Sequence, residues 1–208
     1  KPKCFQDQTL PIESSFELNQ DIVSFHLGKY DKSKTLIIDP LLQWATYYGG
    51  SAAETGGYTT IDGSGFVYLC GATASATTIA SGGHQSTIGG GSFDAFLVKF
   101  NSSGVRQWAT YYGGSDDDRG TYCHVDRNNN VYLCGRTLST SSIASGGHQT
   151  THGGDFDAFV VKFNSSGTRQ WATYYGGSNI EEHVTCATDT ALNVYLGGTT
   201  QSNNNIFS

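Results

Sequence analysis

Nine residues, Gln43-Trp44-Ala45-Thr46-Tyr47-Tyr48-Gly49-Gly50-Ser51, return unchanged at 107–115 and at 170–178. The tryptophans Trp44, Trp108 and Trp171 are therefore 64 and 63 residues apart. Around the later two copies the identity widens, and 93–115 and 156–178 differ only at Leu97/Val160 and Val105/Thr168. A catalytic centre is normally one asymmetric constellation. A segment copied this faithfully is a building block that buries its surface against neighbours of its own kind.

The unit reads as short strands. Asp94–Phe100 alternates with a period of two, which places Phe96, Val98 and Phe100 on one face. Asn101-Ser102-Ser103-Gly104 is turn chemistry, and 105–112 runs back with Trp108, Thr110 and Tyr112 on one face. A third strand at 121–126 and a fourth at 131–134 flank the turn Arg127-Asn128-Asn129-Asn130, and the same hairpin recurs at 59–71 and 185–197. No segment carries a helical period of useful length. The expected fold is all-β, a β-propeller-type array of four-stranded antiparallel blades. It comprises two complete repeats with a partial one at each end, an incomplete propeller. The blades span 35–92, 93–155 and 156–208, counting Thr35–Asp39 as a first strand, and 1–34 ends a preceding β-rich segment. The connections 74–92 and 138–155 both contain Ile-Ala-Ser-Gly-Gly-His-Gln. They are either functional loops or packed bridges from one blade to the next.

Composition narrows the function. Twenty-seven glycines, three prolines, 12% aromatic and 14% charged residues suit a turn-rich β protein. A net charge of −6 without a Lys/Arg cluster argues against nucleic acid. No apolar run reaches the ~18–20 residues of a membrane-spanning helix, so no membrane insertion is expected. The absence of methionine suggests a mature or trimmed segment of a longer precursor. A surface rich in Ser, Thr, Asn and Gly with few lysines leans towards an extracellular or cell-surface location.

The run Asp157-Ala158-Phe159-Val160-Val161-Lys162-Phe163-Asn164-Ser165-Ser166-Gly167, followed by Gln170-Trp171-Ala172-Thr173-Tyr174-Tyr175-Gly176-Gly177-Ser178, resembles the SBBP β-propeller repeat. The hairpin from Val125-Asp126 to Asn130-Val131-Tyr132-Leu133 is similar to its second half, and the resemblance spans about 35–202. Val23–Tyr30 and Leu36-Ile37-Ile38-Asp39-Pro40 resemble the end of the β-rich domain that often precedes such repeats. The resemblance implies a large secreted or cell-surface protein of Bacteroidota type, cargo of the type IX secretion system, whose C-terminal sorting domain this chain lacks. It implies no settled activity. Closed propellers typically need about four to eight blades, so three blades imply a fragment of a longer propeller or copies that complete one another. The fragment reading is preferred. Expected partners are other parts of the same long protein or neighbouring copies, with glycans or the secretion machinery as further ones.

Candidate sites are few, each with a bland alternative. His84, Gln85, His148 and Gln149 recur in the long connections and are candidate ligand-binding residues; hydrogen-bonded loop side chains are the alternative. His152, with Asp155 and Asp157 nearby, sharpens that picture, but Ile88 takes its place in the first copy. The tryptophans and tyrosine pairs are either sugar-stacking platforms or inter-blade core, and repetition favours core. Asp126, Asn128 and Asn130 have the spacing of calcium ligands without the sixth-position glycine or twelfth-position glutamate. Asx-type turns explain them better, and no cofactor is expected unless calcium binds here. Asp116-Asp117-Asp118 is a second acidic cluster of this kind. Zinc-ribbon spacing is absent among the five cysteines, so no metal centre is assigned. Pairing Asp126 with Val131 across the turn sets Cys123 opposite Cys134, with Cα atoms about 4.5 Å apart at the lower edge of disulfide geometry. Small buried hydrophobes are an equal reading. Thr190, in Asp189-Thr190-Ala191, resembles a short O-glycosylation pattern of secreted Bacteroidota proteins. The sequons at Asn101 and Asn164 are explained by turn formation.

The expected function is a non-catalytic structural or interaction module, a repeat scaffold or adhesin segment. A lectin-like carbohydrate-binding adhesin is the alternative. A glycan-active enzyme comes last, because Asp94, Asp157, Glu181 and Glu182 are not paired by anything in the sequence, and no catalytic residue is assigned.

Overall fold

The computed structural model describes residues 3–7, 10–19, 22–39 and 44–206. Gln43 of the first nonapeptide and Pro40 of the N-terminal motif lie outside the described residues. Among the described residues every helix or strand element is a strand, and all pairing is antiparallel in sheets of two to four strands. The chain divides into two units, Lys1–Ala45 and Thr46–Ser208.

The first unit holds β1 (Lys3–Gln6), β2 (Leu10–Ile12), β3 (Ser14–Asn19), β4 (Ile22–Leu27) and β5 (Leu36–Asp39). Strands β2, β1 and β5 form one sheet, and β3 with β4 forms a hairpin. Cys4 lies opposite both Ile12 and Ile38. The strand expected at 35–39 is present, but its backbone groups are satisfied by β1. It belongs to this unit and opens no blade.

The second unit holds β6 (Glu54–Ile61), β7 (Val67–Thr73), β8 (Asp94–Phe100), β9 (Arg106–Tyr112), β10 (Asp118–Val125), β11 (Val131–Thr137), β12 (Asp157–Phe163), β13 (Arg169–Tyr175), β14 (Glu181–Thr188) and β15 (Val194–Thr200). Two four-stranded meanders, β6-β7-β8-β9 and β10-β11-β12-β13, precede the hairpin β14-β15. The sheets are therefore offset by two strands from the blades drawn at 93–155 and 156–208. The long connection joins β7 to β8 inside one sheet, so it is not a bridge between blades.

That connection has a structural task. It folds back along the outer strand, where Ser81 and Ala109 exchange amide hydrogen bonds of 2.9 and 2.8 Å and the Tyr111 amide donates to the Gln85 carbonyl at 3.1 Å. The 145–149 stretch treats Ala172 and Tyr174 in the same way. An outer strand left bare would present a row of unpaired amides and carbonyls, and this loop covers them.

The core lies between sheets. Tyr68, Cys70, Leu97, Trp108 and Tyr112 of the first meander pack against Cys123, Leu133, Phe159, Val161 and Phe163 of the second. The opposite face of the second meander, including Tyr132, Cys134 and Val160, packs on Val184 and Cys186 of β14. Strands such as β8 are buried along their whole length because both faces are covered.

One register differs from the sequence expectation. The turn closes from the Asp126 amide to the Asn130 carbonyl at 2.9 Å, with Asn129 in the left-handed region at φ 61°. Cys123 consequently sits opposite Leu133, and Tyr122 opposite Cys134. A shift of one residue sends a side chain to the other face. Cys123 enters the core towards the first meander and Cys134 the core towards β14, so of the two equal readings the Cys123–Cys134 bridge is not formed and both are free, buried cysteines.

Candidate functional site

The repeated residues converge on the junctions between successive sheets. The indole N–H of Trp108 and the Lys99 ammonium both donate to the Ser165 carbonyl at 3.1 Å, gripping the next sheet's hairpin turn. The two tyrosines of each nonapeptide point opposite ways. Tyr111 donates to the Ser75 carbonyl within its own sheet at 2.7 Å, whereas Tyr112 donates to the Ile143 carbonyl of the next sheet's connection. Tyr174 and Tyr175 repeat this with Ser139 and Ile206. Tyr48 reaches Ile79 at 2.7 Å, while Tyr47 is fully exposed, because residues 46–50 form no strand.

The first glycine after each tyrosine pair packs on carboxylates, Gly49 on Glu54 alone, and Gly113 and Gly176 each between two. A Cβ on Gly113 would stand 2.7 Å from Asp118 Oδ2 and 2.8 Å from Asp94 Oδ2, and one on Gly176 would stand 2.4 Å from both Asp157 Oδ1 and Glu181 Oε2. Only glycine fits there. Asp118 accepts from Thr137, from Ser139 at 2.8 Å and from the Gly114 amide at 2.7 Å. Glu54 accepts from both Thr73 and Ser75 of the equivalent Thr-x-Ser segment, and Glu181 accepts from Thr200. Asp94 and Asp157 accept from the Gly89 and Gly153 amides at 2.6 and 2.7 Å. Burial raises Asp94 to about 7, with the nearby Asp118 charge adding to it. Burial likewise raises Asp118 and Asp157 to about 6. Asp157 Oδ1 is buried without a hydrogen-bond partner. Thus Asp94 and Asp118 pair, as do Asp157 and Glu181, but as enclosed groups bound to backbone amides.

The sequence-predicted ligand residues do not gather. Gln85 and Gln149 are spent internally: Gln85 Nε2 donates to the Thr87 carbonyl at 3.0 Å and its Oε1 accepts from the Gly113 amide at 3.2 Å, and Gln149 repeats both contacts with Thr151 and Gly176. His84 and His148 are exposed and occupy different junctions. His84 lies beside Tyr112 and Phe163 in a cleft of about 640 Å³ that also contains Arg169. Partial desolvation in the cleft, followed by the Arg169 charge, lowers its pKa. His148 lies beside Tyr175 in a cleft of about 620 Å³ with Trp171 and Tyr195. His152 stands at a separate place, where its Nε2–H donates to the Thr137 carbonyl at 3.2 Å and its ring meets Tyr174. Among the described residues no group of three or more His, Cys, Asp or Glu is placed to hold a metal.

The turn aspartates are saturated. Asp126 accepts from the Asn128 and Asn130 amides at 2.8 and 2.9 Å, from the Asn130 side chain at 2.9 Å and from Tyr132 at 3.1 Å. Asp62 and Asp189 form the same clamp in the other two hairpins. Thr190 is exposed at the tip of the β14–β15 turn.

A cleft of about 460 Å³ was not foreseen. It is built where the first strands of all three sheets break register, and Gly56, Gly120 and His183 line it at equivalent positions. Bulges of this kind re-aim side chains. Here the repeat is not kept: Thr55, Arg119 and Glu182 correspond, as do Ala72, Arg136 and Thr199. Arg119 pairs with Asp117 at 2.5 Å and lies over the Phe93 ring at 4.6 Å, while Arg136 pairs with Glu182 and lies over Phe156 at 4.5 Å. The signal available in the sequence was difference between copies, not similarity.

Residues 1–41 match a family described as a domain of unknown function (DUF7948). That match falls within the first unit, and no curated protein matches the chain. The junctions and the bulge cleft, all in the second unit, must be interpreted from their own chemistry.

Proposed function

We propose that the chain is a non-catalytic structural and interaction module, an SBBP-type β-propeller scaffold or adhesin segment acting outside the cell or at its surface. One observation carries this reading. Trp108 is only 5% exposed beneath the second meander, whereas its counterpart Trp171 borders an open cleft beside the two-stranded β14–β15 sheet. The same repeated side chain is core where a full sheet covers it, so its repetition serves sheet-on-sheet packing. Identical clasps at successive junctions favour a constant rotation between sheets, the geometry from which propellers are built. The enclosure of the carboxylate pairs favours a non-catalytic role.

The cleft holding Trp171, Tyr175, Tyr195 and His148 favours carbohydrate binding as a second reading, since aromatic faces suit apolar sugar faces. A glycan array, followed by tryptophan-fluorescence titration of any hit, separates the two. The scaffold reading expects no saturable binding. A saturable hit lost in Trp171→Ala would transfer the assignment to a lectin.

A further inference from the structure

Four of the five cysteines follow the repeat. Cys70 on β7 and Cys134 on β11 occupy equivalent places in the second strands of successive sheets, and Cys123 on β10 and Cys186 on β14 equivalent places in the first strands. Strand β10 packs on β7, and β14 on β11. The neighbouring Cys70 thiol is the largest influence raising Cys123, and the neighbouring Cys186 thiol the largest influence raising Cys134. Backbone contacts agree: Cys123 Sγ lies 3.6 Å from the carbonyl of Tyr58, the ladder partner of Cys70. Cys134 Sγ lies 3.7 Å from the Val184 carbonyl of β14. Each pair shares one core cluster, Cys70 with Cys123 and Cys134 with Cys186. The copies without a facing partner carry no cysteine: Thr59 stands at the place of Cys123, and Gly197 at the place of Cys134.

We propose that Cys70–Cys123 and Cys134–Cys186 are inter-sheet disulfide sites, each joining the second strand of one sheet to the first strand of the next. The oxidant is a small disulfide such as oxidised glutathione. One protein thiolate attacks it, forming a mixed disulfide and releasing one small thiolate; the second protein thiolate attacks the protein sulfur of that mixed disulfide, forming the bridge and releasing the other small thiolate, and each small thiolate takes up one of the protons the cysteines lost. The protein pair loses two S–H hydrogens and two electrons, which the oxidant carries away as two thiols. In the folded chain the neighbouring cysteine and burial hold Cys123 and Cys134 above the ordinary thiol range, so they are unreactive there. Oxidation therefore belongs to folding, before the sheets close. The bridges would persist in an oxidising exterior, but their geometry does not depend on the proposed scaffold role.

The test is to refold the full chain from denaturant in a glutathione redox buffer, quench with acid, alkylate in denaturant without reductant so that every free thiol is open, and map the peptides by mass. The expected result is alkylation at Cys4 alone, linked peptides for 70–123 and 134–186, and a loss of two hydrogens per bridge. Cys70→Ser should retain the 134–186 link and leave Cys123 open to alkylation; Cys123→Ser gives the mirror result if the first variant does not fold. Five alkylated cysteines in the refolded and then denatured protein, one bridge alone, or any other pairing would overturn the proposal.

Discussion

The indole N–H of Trp108 reaches the Ser165 carbonyl of the following sheet at 3.1 Å, while its ring meets Tyr68 and Phe163. One side chain thus fills the inter-sheet core and fixes the neighbour's hairpin. Trp108→Ala should cost about 3–5 kcal/mol, as expected for deleting a buried aromatic. Trp171→Ala should cost clearly less, because fewer strands cover it. Urea unfolding of both variants would check the difference; equal losses would contradict the packing argument.

Gly167 gives a cleaner reading of the same contact. Gly65, between β6 and β7, and Gly167, between β12 and β13, close different hairpin turns with the same φ of +82°, a region that costs an L-residue about 1–2 kcal/mol. A Cβ on Gly65 meets nothing closer than 3.9 Å, whereas one on Gly167 would lie 2.8 Å from the Trp108 ring. Gly65→Ala should show the backbone penalty alone. Gly167→Ala should show that penalty plus a displaced tryptophan, visible as a larger stability loss and a shifted fluorescence maximum.

These contacts also show which parts of the fold could be read from the chain. Strands such as Asp94–Phe100 were legible because alternation and turn residues are local signals. Pairing was not. The copies 93–115 and 156–178 are nearly identical, yet β8 and β9 complete a sheet begun by β6 and β7. Identity between copies does not say where one sheet stops. The cysteine register failed because Asn129 adopts a left-handed conformation that shortens the closure by one residue. Likewise Arg119, Arg136 and His183 carry no signal in the sequence, and Glu182 reads only as an unpaired carboxylate, because backbone bulges, not sequence spacing, bring the four to one cleft.

Asp126 tests the calcium-like spacing directly. Burial opposes its charge, but the Asn130 side chain and the Asn130 and Asn128 amides hold its carboxyl below the usual range. Its two oxygens are occupied within the turn. Asp126→Ala should therefore destabilise by about 1–3 kcal/mol through the buried donors left without an acceptor. Adding calcium to the unaltered chain should leave its melting temperature unchanged. A calcium-dependent rise that disappears in Asp126→Ala would show instead that the turn is a metal site.

The enclosed carboxyls predict an unusual pH profile. Unfolded aspartates ionise near about 3.9, whereas burial and then the adjoining Asp118 charge raise Asp94 in the folded chain to about 7. Asp118 and Asp157 are raised to about 6. The folded state thus binds more protons than the unfolded state between these limits, so stability falls as pH rises across that interval. The contribution is complete below about pH 4 and is lost as the pH passes through the raised values. Asp94→Asn keeps an oxygen that can accept from the Gly89 amide and removes the buried charge. It should match the unaltered chain near pH 4 and exceed it in stability at pH 8, giving a flatter profile. Urea midpoints at pH 4, 6 and 8 would measure this, and parallel profiles would mean that Asp94 is already solvated and ionises in the folded chain at its ordinary value.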